Sequence, residues 1–201
     1  MSSKPSIPKP DFRFKVVLVG DAGVGKSSLI IRLVRNKFYG GVWRENCQGE
    51  GCKVHCMNVD DNVVELRILG TDGQERFVPL PAIFYRHTQG AIVVFDVTNK
   101  RSFDNLQFWL DELKNKVGHD IPLVLVGNKI ELEEKRVVDY ATAASFSEQV
   151  GIPYMETSAE KGKGVVEAFS LLASRMVEGG NQNAEDDLDS DPTPTYSWCA
   201  V

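Results

Sequence analysis

The sequence predicts an α/β fold in which a six-stranded, mostly parallel sheet with one antiparallel strand carries helices on both faces. Two observations lead to it. Short apolar runs alternate with stretches whose apolar residues recur every three or four positions, the pattern of strands joined by packing helices. The first run, Val16-Val17-Leu18-Val19, also ends in the glycine-rich turn Gly20-Asp21-Ala22-Gly23-Val24-Gly25-Lys26-Ser27, which opens a helix.

Strands are expected at 14–19, 53–59, 63–69, 91–96, 123–127 and 154–156. Asp60-Asp61-Asn62 reads as a hairpin turn between the second and third, so one strand of the six runs against the rest. One helix follows Lys26. A second starts at Ser102, a suitable N-cap, and buries Phe103, Leu106, Leu110, Leu113 and Val117. A third spans 139–150 and stops at Gly151, and a fourth spans 165–177 with Phe169, Leu172 and Met176 inward.

With 201 residues, 42% apolar and 25% charged, the chain can build one domain with a sizeable core. No apolar run reaches the length of a bilayer span. The start, Met1-Ser2-Ser3-Lys4-Pro5, reads neither as a signal peptide nor as a myristoylation site, so a cytoplasmic protein is expected. Four cysteines fit that reducing compartment. Cys47, Cys52 and Cys56 beside His55 invite a zinc reading, but their spacing fits no standard pattern and half-buried thiols are preferred. Of 28 acids, five lie in 179–201, which has no Lys or Arg; 23 acids and 23 bases remain, so the tail carries the net charge of −5. The sequence divides into an N-terminal extension (1–11), a domain (12–178) and an acidic tail (179–201) expected to be disordered. No basic stripe is present, and nucleic acid is not an expected partner.

GxxxxGKS between a strand and a helix is the phosphate-cradling P-loop signature. Glycines allow successive backbone N–H groups to line an anion, Lys26 reaches the terminal phosphates, and Ser27 offers a hydroxyl to Mg²⁺. A merely structural glycine turn is the bland alternative, and the strand–turn–helix placement argues against it. Asn128-Lys129-Ile130-Glu131 and Glu156-Thr157-Ser158-Ala159 follow the last two strands, at the sheet edge where such folds bind ligands.

Together with Gln74-Glu75-Arg76-Phe77, Tyr85-Arg86 and the run FDVTNKRSFDNL over 95–106, these motifs resemble the Ras superfamily of small GTPases, and within it most a Rab, over residues 12–178. The resemblance implies the P-loop NTPase (small G-protein) fold, with GTP or GDP and Mg²⁺ as ligands. It assigns phosphate binding to Gly20, Asp21, Ala22, Gly23, Val24, Gly25, Lys26, Ser27 and Ser28. Gly73 would contact the γ-phosphate, and Gln74 would orient the attacking water while Lys26 stabilises developing charge. Asn128 and Lys129 would hold guanine, Glu131 would accept from its N1 and exocyclic amine, and the Ala159 N–H would donate to O6. Ser158 and Glu160 complete the nucleotide-binding set.

Departures from the family concentrate on metal and switch chemistry. Gly70 stands where DxxG carries the Asp that supports the Mg²⁺ shell, with Asp72 as a potential stand-in. Residues 38–70 hold no Ser or Thr, so the first switch lacks the family's metal-binding Thr; Glu45 or Asn46 could replace it, and a loop that does not clamp nucleotide is preferred. Pro79 and Pro81 limit how the second switch refolds. The Rab effector triad maps to Cys52, Leu69 and Phe84, Trp109 is expected to pack partly against its helix, and Trp43 is left open. Glu131 replaces the Asp of NKxD, so guanine binding is expected to be kept and weakened.

The implied function is a Rab-like GTP/GDP switch with slow hydrolysis, monomeric, acting through regulators and effectors in membrane traffic. A pseudo-GTPase scaffold is its first rival, and a P-loop small-molecule kinase its second. Cys199 stands third from the end, outside a CaaX box; as a candidate lipidation site it would give a weak, peripheral hold on the cytosolic face of an endomembrane, and otherwise it is an unmodified thiol.

Overall fold

A computed structural model describes residues 10–35, 43–44, 52–69 and 82–179, with backbone alone at 35, 43–44 and 82–83. Among them, β1 (Phe12–Val19), β2 (Trp43–Arg44), β3 (Cys52–Val59), β4 (Asn62–Leu69), β5 (Gly90–Asp96), β6 (Leu123–Asn128) and β7 (Tyr154–Thr157) form one sheet in the order β2-β3-β4-β1-β5-β6-β7. All six expected strands are present. Trp43–Arg44 adds a two-residue edge to the expected six, paired with His55 and Val54. β3 alone runs against its neighbours, and its hairpin to β4 turns through Asp60, whose φ of 52° lies in the left-handed region that a short polar side chain tolerates.

β1 lies at the centre, and its continuous apolar run follows from burial on both faces. Phe14, Val16 and Leu18 pack with α1 (Lys26–Arg35) and α6 (Val165–Glu178), through Leu29, Leu33, Phe169 and Leu172. Val17 and Val19 face the other way. There they meet α3 (Lys100–Asp104), α4 (Leu106–Val117) and α5 (Tyr140–Val150), together with Tyr85 of the one-turn α2 (Ala82–Tyr85).

Two expectations about the helices need correction. Ser102 is not an N-cap: Asn99 takes that place with extended backbone, and its side chain accepts from the N–H groups of Arg101 (3.1 Å) and Ser102 (3.4 Å). Ser102 is fully buried instead, donating its hydroxyl to the Asn99 carbonyl at 2.7 Å and accepting from the Asp96 N–H at 3.0 Å. The single helix expected from Ser102 is also two, α3 and α4, because Asn105 takes φ −82° and ψ 0° between them. Leu106 and Leu113 are buried, whereas Leu110 and Val117 are half-buried. Trp109, expected to pack partly, is only 7% exposed. α5 follows its expected limits, with Asp139 as N-cap and Gly151 in the left-handed conformation at its end.

Strand alternation separates the residues of the zinc reading. His55 falls in step with Met57 and Val59, which face α1 and α6, while Cys52 and Cys56 fall on the opposite side of β3. Among the described residues no group of three His, Cys, Asp or Glu is placed to hold a metal ion, and Cys47 lies outside them.

His55 is 5% exposed and its Nδ1 has no hydrogen-bond partner. Burial lowers its pKa from 6.5 to about 4. The native state thus favours the neutral ring, while the unfolded chain takes up a proton below its own pKa. Stability is therefore present above pH 6.5 and is lost as pH falls toward 4, by roughly 3 kcal/mol in all. Thermal melts across this window should show a shallower decline for His55→Leu than for wild type; parallel curves would mean that the ring charges at no cost.

Candidate functional site

After β4 has paired with one side of the central β1, the chain adds β5, β6 and β7 outward on the other side, so the turns after β1, β5, β6 and β7 leave one edge side by side. The glycine turn after β1 is dictated by space as much as by φ. At Gly20 (φ +141°) a Cβ would stand 2.1 Å from the Val94 carbonyl oxygen, and at Gly25 (φ +103°) one would stand 2.3 Å from Asn128 Nδ2. Lys26, 3% exposed, donates Nζ to the carbonyls of Gly20 at 2.7 Å and Asp21 at 2.8 Å. Val24 is buried. Ser27 is half-buried in the first turn of α1, and Ala22, Gly23 and Ser28 are exposed.

Across from this loop, Asn128 is 1% exposed and joins three segments. Its Nδ2 donates to the Val24 carbonyl at 2.9 Å, while its Oδ1 accepts from Thr157 Oγ1 at 3.1 Å and from the Ala159 N–H at 3.2 Å. Next to it Lys129, with φ +71°, extends Nζ to Asp96 Oδ2 at 2.7 Å. Asp96 is oriented in turn by the N–H and hydroxyl of Thr98, at 2.8 and 2.7 Å. From α1, Arg32 reaches over to the carbonyls of Ala159 and Glu160, its Nε lying 2.7 Å from the first.

Charge around the loops after β6 and β7 is uneven. Glu131 Oε2 is buried with no hydrogen-bond partner. Glu160, by contrast, turns its exposed carboxylate to Lys161 at 2.8 Å; that hydrogen bond lowers the glutamate's pKa and raises the lysine's. Ser158 Oγ accepts from the Lys161 N–H at 2.9 Å. Glu131, Ser158, Lys161 and Tyr140 border an open cleft of about 550 Å³. Its floor is fixed by Arg136, which grips Glu156 at 2.7 and 3.1 Å and Glu133 at 2.8 Å. The hydrogen bond from Glu156 first, then that from Glu133, holds the guanidinium charged.

The structure thus gathers residues 20–27 with Asn128, Lys129, Glu131, Ser158 and Ala159 at one edge. Glu160 joins through its backbone only. Gly70, Asp72, Gly73, Gln74, Glu45, Asn46, Pro79, Pro81 and Cys199 lie outside the described residues, as does the side chain of Trp43. Sequence reasoning missed Arg32, Asp96 and the hydroxyl of Thr157. Thr157 stood inside a quoted motif and could have been found; Arg32 and Asp96 gain their meaning only from neighbours that the fold supplies. The arrangement can receive phosphates against the N–H groups of the glycine turn and a planar base between Lys129 and the 158–159 loop.

Residues 15–178 match the family model described as the Ras family. The chain is also 37% identical over 171 residues to the Ras-related protein RABD2a of Arabidopsis thaliana, over 85% of this chain and 83% of that protein. Among the described residues no helix is long and apolar enough to cross a membrane.

Asn128→Ala should be among the most damaging changes in this region. It would strand the Thr157 hydroxyl, the Ala159 N–H and the Val24 carbonyl together, at a cost of roughly 2–4 kcal/mol in urea unfolding. A loss below about 0.5 kcal/mol would show that the three segments hold together without this amide.

Proposed function

Because this chain belongs to the Ras superfamily of small GTPases and is Rab-like, we propose that it is a guanine-nucleotide switch with slow hydrolysis, working through regulatory and effector proteins in membrane traffic. Traffic rests on kinship alone. For guanine, the supporting observation is the buried, unpartnered Oε2 of Glu131 beside the loop that Asn128 ties to the glycine turn. An unsatisfied buried acceptor is costly, and guanine's N1–H and exocyclic amine offer donors that adenine does not combine.

The phosphates would lie on the backbone N–H groups of the 20–27 turn, where Gly20 and Gly25 leave no room for a side chain. Lys26 would hold the β- and γ-phosphates and Ser27 a Mg²⁺ ion, whose charge offsets that of the phosphates. Gln74 would orient the attacking water, and Gly73 would mark the γ-phosphate. Slow turnover follows from residues that are not there: Gly70 supplies no carboxylate behind the ion, and residues 38–70 supply no Ser or Thr hydroxyl. These same gaps favour the second reading, a pseudo-GTPase scaffold. Membrane contact, on either reading, depends on Cys199 or on partners.

Labelled GDP bound to purified protein should be displaced by unlabelled GTP and not by ATP, and Lys26→Ala should abolish retention; equal displacement by ATP would sink the assignment. Glu131→Asp should tighten GDP binding, because the shorter side chain restores the family's acceptor position; weaker binding would show a loop adapted to glutamate.

Single-turnover GTP hydrolysis should be slow with a shallow Mg²⁺ dependence, and Gly70→Asp should raise Mg²⁺ affinity. A wild-type rate ordinary for the family and unchanged in Gly70→Asp would refute the slow-switch account, while absence of any bound guanine nucleotide would favour the scaffold.

A further inference from the structure

The carboxylate of Asp21, in the glycine turn, points away from the space where phosphates would lie and toward the junction of α3 and α4. Asn105 Nδ2 donates to its Oδ2 at 2.7 Å and Trp109 Nε1 to its Oδ1 at 2.8 Å, so each oxygen has its own donor. Both bonds are short and charge-assisted. Asn105 occupies the N-cap position of α4, where an asparagine side chain ordinarily accepts from its own helix, yet it makes no such bond. Its side chain is given over to Asp21. The backbone carbonyl of the same Asp21 receives Lys26 Nζ at 2.8 Å, so one residue joins α4 to the buried lysine.

We propose that Asp21 is a positioning residue whose carboxylate, clamped by Asn105 and Trp109, fixes the glycine turn on α4 and so sets how long a nucleotide stays bound. The inference rests on the nucleotide-binding reading above. Two physical effects act together. The clamp pins the main chain that presents N–H groups to phosphate and aims Lys26. It also keeps a negative side chain turned away from negatively charged phosphates, which would repel it at close range. Loss of either donor frees both the backbone and the carboxylate.

The clamp can be inverted without changing its size. In Asn105→Asp two carboxylates meet where amide and carboxylate met, and the turn is pushed off α4. Adding Asp21→Asn restores the pair with the roles exchanged: the new amide donates to the new carboxylate and still accepts from Trp109. Dissociation of mant-GDP from the full-length chain, chased with unlabelled GDP, should quicken roughly tenfold or more in Asn105→Asp. It should return to within about threefold of wild type in the double variant, and quicken several-fold in Trp109→Phe, which replaces the indole by a smaller aromatic ring and deletes the donor. The preference for GDP over IDP should stay constant throughout, because the base-side loops are untouched.

Failure of the second substitution to restore retention would overturn the inference, and so would a GDP-over-IDP preference that falls in step with retention. Wild type that holds GDP while all variants release it at the same rate overturns this inference alone. Wild type that never holds GDP overturns the nucleotide reading, and the inference with it. If Asn105→Asp does not fold, Trp109→Phe against wild type decides.

Discussion

One buried amide organises the functional edge of this molecule. Asn128 gives its donor to the glycine turn and its acceptor to the β7 loop, so the turns after β1, β6 and β7 form one unit. The requirement propagates. Gly25 has no side chain because that amide occupies the space a Cβ would take, and the buried Thr157 hydroxyl finds its acceptor in the amide oxygen. Loops held to one another before a ligand arrives lose less freedom when it binds.

The helical layers add their own ties from outside this unit. Arg32 reaches from α1, on one face of the sheet, to two carbonyls of the 159–160 turn, and α4, on the other face, holds the glycine turn through Asp21. Behind β7, Glu156 is shared between Arg136 and the hydroxyl of Tyr154, whose ionisation is pushed well above its usual range by burial first and by this carboxylate second. A charged residue this close to the core is tolerated because the fork of the guanidinium satisfies both carboxylate oxygens.

Much of this was legible in the sequence, and the reasons differ from place to place. β1 and β5 were evident because burial on both faces demands unbroken apolar runs, and α5 because Asp139 and Gly151 mark its ends chemically. Ser102 misled because a serine caps only where its backbone is extended; here the extended residue is Asn99, with φ −132°. β2 carried no pattern, since two residues are too few to alternate. At the candidate site, residues 20–27, Asn128-Lys129 and Ser158-Ala159 stood out because each is a short local motif at the end of a strand, and the fold brings them to one edge. Arg32, Asp96 and the partners of Asp21 did not, because each acts on residues far along the chain. The chemistry of one end of a contact does not announce the other.

The position of β1 in the sheet has a kinetic side. Among the described strands the earliest in the chain is the central one, and its partners are β4, in register Phe12 to Val64, and β5, in register Val16 to Gly90. An apolar strand must therefore emerge from the ribosome about fifty to seventy residues ahead of the strands that cover its edges, and pairing over such separations is slow. During synthesis Val16-Val17-Leu18-Val19 has no native strand to lie against until those partners emerge. The glycine turn is translated early but acquires its Asn128 and Thr157 partners only near the end of the domain. Closure of this edge is thus a late event in the life of the nascent chain, arriving after most of the sheet is already in place.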